Sequence, residues 1–211
     1  AGSITALASS VCVGTNSNTL TLNNYVGSIQ WQSSSSLGGS YTNIVGESSA
    51  SLIVTDLSTT KYYRAVVTSG TCASATSDPF EVVVNALSVA GSISGAGIVC
   101  SGTNTSILML SGYIGDIQWQ VSTDYGDTYS NISGATAAIY TSADLSQSTY
   151  YQANVTNGAC SMVSSAAVMI DVTNSDAPTS ITGETSICIG GTTNLTASTA
   201  CGNSSSTFVW Y

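Results

Sequence analysis

The chain has 211 residues, 43% of them hydrophobic and only 6% charged, with two basic residues (Lys61, Arg64) against eleven acidic ones and a formal net charge of −9. That balance argues against nucleic acid and anionic membrane surfaces as partners, since both attract basic patches. No apolar run reaches the length of a membrane-spanning helix, so no membrane insertion is expected.

The start carries no basic-then-apolar leader and begins at Ala1 without Met, which suits a processed product or an excised piece. With so few charges, the surface must be built from Ser, Thr, Asn and Gly.

The opening Ala1-Gly2-Ser3-Ile4 returns as Ala90-Gly91-Ser92-Ile93, 89 positions later. From Val11 to Ala86 the spacing becomes 88 with no gap: Cys12 and Cys100, Trp31 and Trp119, Tyr41 and Tyr129, Leu57 and Leu145, Cys72 and Cys160. A fixed period of this length marks a tandem array of one module. The boundaries it sets are 1–87 and 88–176 for two full repeats and 177–211 for a partial third. The one-residue difference before the first cysteine predicts a linker or loop there, since a slip inside a paired strand would turn its side chains to the wrong face.

After Cys12, Gly14-Thr15-Asn16 signals a turn, and Gly102-Thr103-Asn104 repeats it. Leu20 and Leu22 alternate with Thr, as Leu108 and Leu110 do in the copy, which predicts a half-buried strand. Gly27 breaks the chain before Ile29 and Trp31, which alternate with Gln30 and Gln32, so the apolar residues face inward. Residues 33–40 are small and polar and differ most from their copy, which reads Val121-Ser122-Thr123-Asp124-Tyr125-Gly126-Asp127. A divergent polar loop is where a binding difference would reside.

Short strands follow at Tyr41–Ile44 and Ser51–Val54, then Asp56-Leu57-Ser58 turns the chain toward Tyr62-Tyr63. Tyr63, Ala65 and Val67 are identical in the copy (Tyr151, Ala153, Val155), whereas Arg64 and Val66 become Gln152 and Asn154. One constant and one drifting face describe a strand with one side in the core. Trp31, Trp119, Tyr63 and Tyr151 are therefore expected in the core. Phe80–Val84 makes a closing strand, with Pro79 at its start where a missing donor is tolerated.

Short strands at this spacing without helical period predict an all-β fold of tandem immunoglobulin-like antiparallel β-sandwiches. Asp56-Leu57 ahead of Tyr63 has the spacing of a tyrosine corner.

Because each cysteine pair recurs as a unit, bridges Cys12–Cys72 and Cys100–Cys160 are expected, implying an oxidising, extracellular setting; buried reduced thiols are the alternative. The positions near strand ends sit uneasily with an immunoglobulin topology, where such ends can lie beyond bridging reach. In the third unit Cys188 pairs beyond residue 211 or with the added Cys201, and the sequence leaves both open. Its Trp strand, Phe208-Val209-Trp210, lacks an opposing sheet, so further chain or a neighbouring chain is expected to complete it.

No catalytic site is expected. Histidine is absent, and the only acidic position shared by both copies, Asp56/Asp144, lies in a turn where it bonds backbone amides. No cofactor is expected either; the calcium candidates are Asp124 and Asp127 with Asp116, and Asn174 with Asp176 near Pro178. Tyr125, unmatched in the first repeat and on a loop tip, is the candidate contact for a surface or polysaccharide ligand.

The ordered motif Val-Cys-x-Gly-Thr-Asn, Leu-x-Leu, Gly-x-Ile-Gln-Trp-Gln, Tyr-x-Asn-Ile-x-Gly, Asp-Leu-Ser and Tyr-Tyr-x-Ala-x-Val-Thr-x-Gly-x-Cys runs through both full copies. It resembles the immunoglobulin-like repeats of very large Bacteroidota surface proteins, notably SprB-like gliding adhesins. The resemblance implies type IX secretion, display on the outer cell surface, adhesion during gliding motility, and partners among neighbouring repeats and the gliding machinery. It brings no catalytic residues. A spacer or carbohydrate-binding module of a secreted hydrolase is the alternative.

Overall fold

A computed structural model of the chain describes residues 1–102, 104–173, 178–183, 186, 188–194 and 196–199. The described residues are strands, turns and loops, with no helix long and apolar enough to cross a membrane.

The first repeat runs through β1 (Ser3–Ala6), β2 (Ser10–Cys12), β3 (Ser17–Asn23), β4 (Ser28–Ser34), β5 (Thr42–Asn43), β6 (Ser51–Thr55), β7 (Lys61–Thr68), β8 (Ala75–Thr76) and β9 (Phe80–Asn85). One sheet has the order β1-β3-β6; the other has β2-β9-β7-β4-β5, with β8 also on β7. The first strand is therefore divided between sheets. β1 lies antiparallel on β3, and β2 lies parallel on β9 with Cys12 opposite Asn85. The residue that sets the 89-position spacing apart from the 88 falls in this crossing, where no ladder register depends on it.

The second repeat repeats the order with β10 (Ser92–Ser94), β11 (Ile98–Cys100), β12 (Ile107–Ser111), β13 (Asp116–Ser122), β14 (Ser130–Asn131), β15 (Ile139–Thr141), β16 (Thr149–Thr156), β17 (Val163–Ser164) and β18 (Val168–Thr173). Its sheets are β10-β12-β15 and β11-β18-β16-β13-β14, with β17 on β16, and β11 is again parallel to β18. A hairpin of β19 (Pro178–Thr182) and β20 (Thr196–Thr199) follows. Trp210 lies outside the described residues.

Compact packing groups the chain differently from the repeat. One unit comprises Ala1–Ala90 with Tyr113–Asp116 and Val155–Val163; the other comprises Gly91–Gly112, Ile117–Asn154 and Ser164–Tyr211. The expected boundaries 1–87, 88–176 and 177–211 follow sequence equivalence, so they do not separate these segments.

The core of the first unit is the inward set of the alternating strands: Leu20 and Leu22, Ile29 and Trp31, Leu52 and Val54, Tyr63, Ala65 and Val67, and Val82. Trp31 is fully buried opposite Ala65, and its indole N–H donates to Ser49 O at 2.8 Å. A buried aromatic nitrogen needs such a partner. Trp119 is equally buried and donates to Ala137 O at 2.8 Å. Tyr63 and Tyr151 are buried as expected, and desolvation pushes both hydroxyls up to about 12.

The turns into the Trp strands demand glycine. Gly27 has φ 126°, and a Cβ there would stand 2.4 Å from Thr68 O; Gly115 has φ 127° with Thr156 O at 2.6 Å.

The tyrosine-corner expectation is not met. No hydrogen bond of the Tyr63 hydroxyl is found among the described residues, and the turn before it is held by Asn16 instead. Asn16 Nδ2 donates to Cys12 O, Gly14 O and Leu57 O, and its Oδ1 accepts from Leu57 N at 3.0 Å. Asn104 makes the same four bonds to Cys100, Gly102 and Leu145. One amide side chain satisfies both backbone groups of a residue 41 positions away and closes the sandwich end.

Candidate functional site

The loop that the two copies write differently, 122–128, sits at the end of β13. Ser122, buried, starts it: its hydroxyl donates to Asp124 Oδ1 at 2.6 Å and accepts from Gly126 N at 2.9 Å. Thr128 N donates to Asp124 Oδ1 at 3.0 Å, and the Thr128 hydroxyl donates to Asp124 Oδ2. The Ser122 and Thr128 bonds hold the Asp124 carboxyl down at about 2, so it is ionised throughout the neutral range.

This network presents Tyr125. It is 87% exposed and takes φ 63°, a left-handed backbone that a bulky residue adopts only when its surroundings fix it. Gly126 behind it is also left-handed, and a Cβ there would lie 3.2 Å from the Tyr129 hydroxyl and 3.7 Å from the Tyr150 ring. Tyr129 and Tyr150 are half-buried beneath the loop, and burial followed by the neighbouring Tyr150 raises the Tyr129 hydroxyl. An exposed aromatic ring on a braced loop is suited to stacking on the flat face of a ligand.

The first repeat has no such device. Its loop places exposed Leu37 at the Tyr125 position, and the Ser34 hydroxyl closes onto Ser36 O and N. Tyr41 is covered by the Arg64 guanidinium 4.1 Å above its ring.

Of the calcium candidates, Asp124 and Asp127 share one turn, with Asp127 N donating to Asp124 O at 3.3 Å, but Asp116 does not join them. Asp116 begins β13 and Asp124 follows its end, so at ~3.3 Å per residue they stand roughly 20 Å apart. Both Asp124 oxygens already accept from Ser122 and Thr128. Among the described residues no three His, Cys, Asp or Glu converge on a metal position. Asn174 and Asp176 lie outside the described residues. Asp144 Oδ1 accepts from Asn104 N at 2.9 Å, the backbone-bonding role expected there, whereas no side-chain hydrogen bond of its counterpart Asp56 is found among the described residues.

The disulfide expectation is overturned. Cys12 is bonded to Cys160, across a sequence separation of 148, with Cα atoms 4.7 Å apart. Cys72 is free and exposed, and so is Cys188. Cys100 is disulfide-bonded, but not to Cys160. Cys201 lies outside the described residues.

The strand order explains why Cys12–Cys72 fails. β2 ends beside the end of β9, which lies near the start of β7, whereas Cys72 follows the far end of β7. Eight residues at ~3.3 Å separate them by roughly 25 Å, far beyond the ~7 Å reach of a bridge. Instead, the loop 157–160 packs at the end of β9. Asn157 N donates to Ser88 Oγ at 2.9 Å, Asn157 Nδ2 to Ala86 O at 2.8 Å, and Ala159 N to Asn85 Oδ1 at 3.2 Å. Val89 and Ile114 add a reciprocal pair of backbone hydrogen bonds in the same unit. Asn85, Ser88 and Asn157 escape a strand-pattern search because their partners lie some 70 positions away.

The chain is similar to several solved immunoglobulin-type structures. Murine CEACAM1b matches at 16% identity and TM-score 0.56, covering 81% of this chain and 99% of that one. A chain of the mouse coronavirus receptor-binding domain complexed with its murine receptor matches at 14% identity and TM-score 0.58, covering 81% and 98%. A marsupial T cell receptor matches at 14% identity and TM-score 0.51, covering 85% and 76%. These likenesses establish the immunoglobulin-like sandwich fold. No curated protein matches the chain. A family model matches residues 1–86 and again 89–174, so the chain belongs to the family described as a domain of unknown function (DUF8696), in two copies.

Proposed function

We propose that the chain is a structural and adhesive repeat region of an exported bacterial surface protein. The observation that carries it is the Cys12–Cys160 bridge, which covalently joins equivalent modules one period apart along the chain. Stable disulfides belong to oxidising compartments, which supports an extracellular location. Under load such a bridge limits how far the enclosed chain can be drawn out. The absence of histidine and of a recurring acid–base pair favours a non-enzymatic role.

Within this reading the protein is a SprB-like gliding adhesin, exported by the type IX system and partnered by its neighbouring repeats and the gliding machinery. The resemblance of the repeated motif to the repeats of Bacteroidota surface proteins supports that assignment. Fluorescent antibody against the chain, applied to intact cells that make the protein, should label the outer surface, and the label should travel along gliding cells. Labelling only after lysis would refute surface display; static label would refute the gliding assignment alone.

The geometry of Tyr125 favours a second reading, a carbohydrate-binding module of a secreted hydrolase. It predicts saturable binding of the chain on a glycan array, lost on Tyr125→Ala; an array without signal removes it and leaves the spacer role.

A further inference from the structure

We propose that Cys72 is a docking cysteine that takes a head-to-tail disulfide from the Cys12-position cysteine of another module, supplied in this chain by Cys188 of a second copy. The argument rests on the equivalence of two loops, one bonded and one not. Ser69-Gly70-Thr71-Cys72 occupies the positions of Asn157-Gly158-Ala159-Cys160. Gly70 has φ 55° and Gly158 φ 53°, and the closing turn bond is Cys72 N to Ser69 O at 3.1 Å against Cys160 N to Asn157 O at 3.0 Å.

The two loops have the same shape and differ in what covers them. At Gly158 a Cβ would meet the Asn85 side chain at 2.4 Å; at Gly70 there is nothing within 4 Å. Cys160 is 5% exposed and bridged, while Cys72 is exposed and free. The Cys72 loop is thus folded in the bonded form of its equivalent without the segment that covers that equivalent.

The partner follows from the period. Cys12, Cys100 and Cys188 are 88 residues apart. Cys12 and Cys100 are already bonded, which leaves Cys188, exposed and free, as the thiol of that class open to a second molecule. A bond from Cys188 of one copy to Cys72 of the next joins the same two classes of cysteine as Cys12 and Cys160, now between molecules, and extends without closing.

Oxidised glutathione serves as the oxidant. The Cys72 thiolate attacks one of its sulfurs, forming a mixed disulfide and releasing one reduced glutathione. The Cys188 thiolate of a second copy then attacks the Cys72 sulfur, forming the protein bridge and releasing the second. Two protein thiols are oxidised and one glutathione disulfide is reduced.

The test incubates the full 211-residue chain with oxidised glutathione and reads non-reducing gels and non-reduced peptide maps. The expected result is a ladder of dimers and longer species joined Cys72 to Cys188. Cys72→Ser or Cys188→Ser alone abolishes the ladder, and mixing the two variants gives a dimer that grows no further. Both substitutions are at exposed free residues, and a thermal melt confirms that each variant folds. A statistical mixture that includes Cys72–Cys72 and Cys188–Cys188 bridges, as from denatured chain, would overturn the proposal, as would glutathione adducts alone.

Discussion

The two repeats share one skeleton and differ in what they put on it. The shared part is buried or bonds backbone: Trp31 and Trp119 with their carbonyl partners, Gln30 and Gln118 each spanning the next carbonyl and Ile44 or Ile132, Asn16 and Asn104 latching Leu57 and Leu145. Ser77 and Ser165 each accept from an alanine amide, of Ala65 and Ala153, at 3.0 Å. The differing part faces outward. Thr19, Thr21 and Ser51 on one sheet of the first repeat become Ile107, Met109 and Ile139 in the second, all three exposed, with Met109 opposite Ile139. Arg64 over Tyr41 becomes Gln152, while the bond to the neighbouring glutamine, Gln32 or Gln120, is kept at 2.8 Å. The core also absorbs one large change: buried Leu52 becomes half-buried Tyr140, which stacks between Trp119 and Tyr151 at centroid distances of 5.7 and 5.6 Å. The positions held constant specify the sandwich, and those released carry what distinguishes one module from the next.

The largest expected effect probes the skeleton. Trp31→Ala and Trp119→Ala should each destabilise their own unit by about 3–5 kcal/mol, seen as loss of that unit's unfolding transition in calorimetry. A marked inequality would break the equivalence. Next comes the bridge, where the copies part. Replacing Cys12 and Cys160 together by alanine should cost about 2–5 kcal/mol, whereas Cys72→Ser should stay within about 0.5 kcal/mol. If Cys72→Ser proved as costly, the strand-order argument would fall.

Asn16→Ala and Asn104→Ala should each cost about 1–3 kcal/mol, because Leu57 or Leu145 loses the partner of both backbone groups. A smaller change sharpens the outward comparison: Arg64→Gln, which writes the second repeat into the first, should cost about 0.5–1 kcal/mol through loss of the ring contact while the Gln32 bond survives.

The smallest effect is the Asp124 titration. Its folded carboxyl sits at about 2, below the ordinary 3.8, so its contribution to the loop is present above pH 3.8 and lost as pH falls through about 2. A carboxyl-carbon NMR titration should show a midpoint near 2, moved toward 3.8 by Thr128→Val; an unshifted midpoint in the unsubstituted chain would dissolve the loop network.

The strands were legible because alternation and the second copy reported the same inward face at Leu20, Leu22, Ile29, Trp31, Tyr63 and Ala65. The division of the first strand showed only as a spacing of 89 against 88. The cysteine pairing was not legible, because a period states which cysteines are equivalent and not whether a bridge stays inside one period. Cys12–Cys72 and Cys12–Cys160 obey the same repeat, and only the order β2-β9-β7 decides between them. Asn16 carried a signal in its recurrence as Asn104, but a turn motif does not reveal a partner 41 positions away. Tyr125 stood out by lacking a counterpart; the brace of Ser122, Asp124 and Thr128 depends on hydroxyl geometry that composition does not specify.

The most direct test is a peptide map of the native monomer, alkylated and digested without reduction before any exposure to oxidised glutathione. The peptide bearing Cys12 should emerge joined to the one bearing Cys160, with Cys72 open to alkylation in the native protein. Recovery of Cys12 joined to Cys72 would contradict the account.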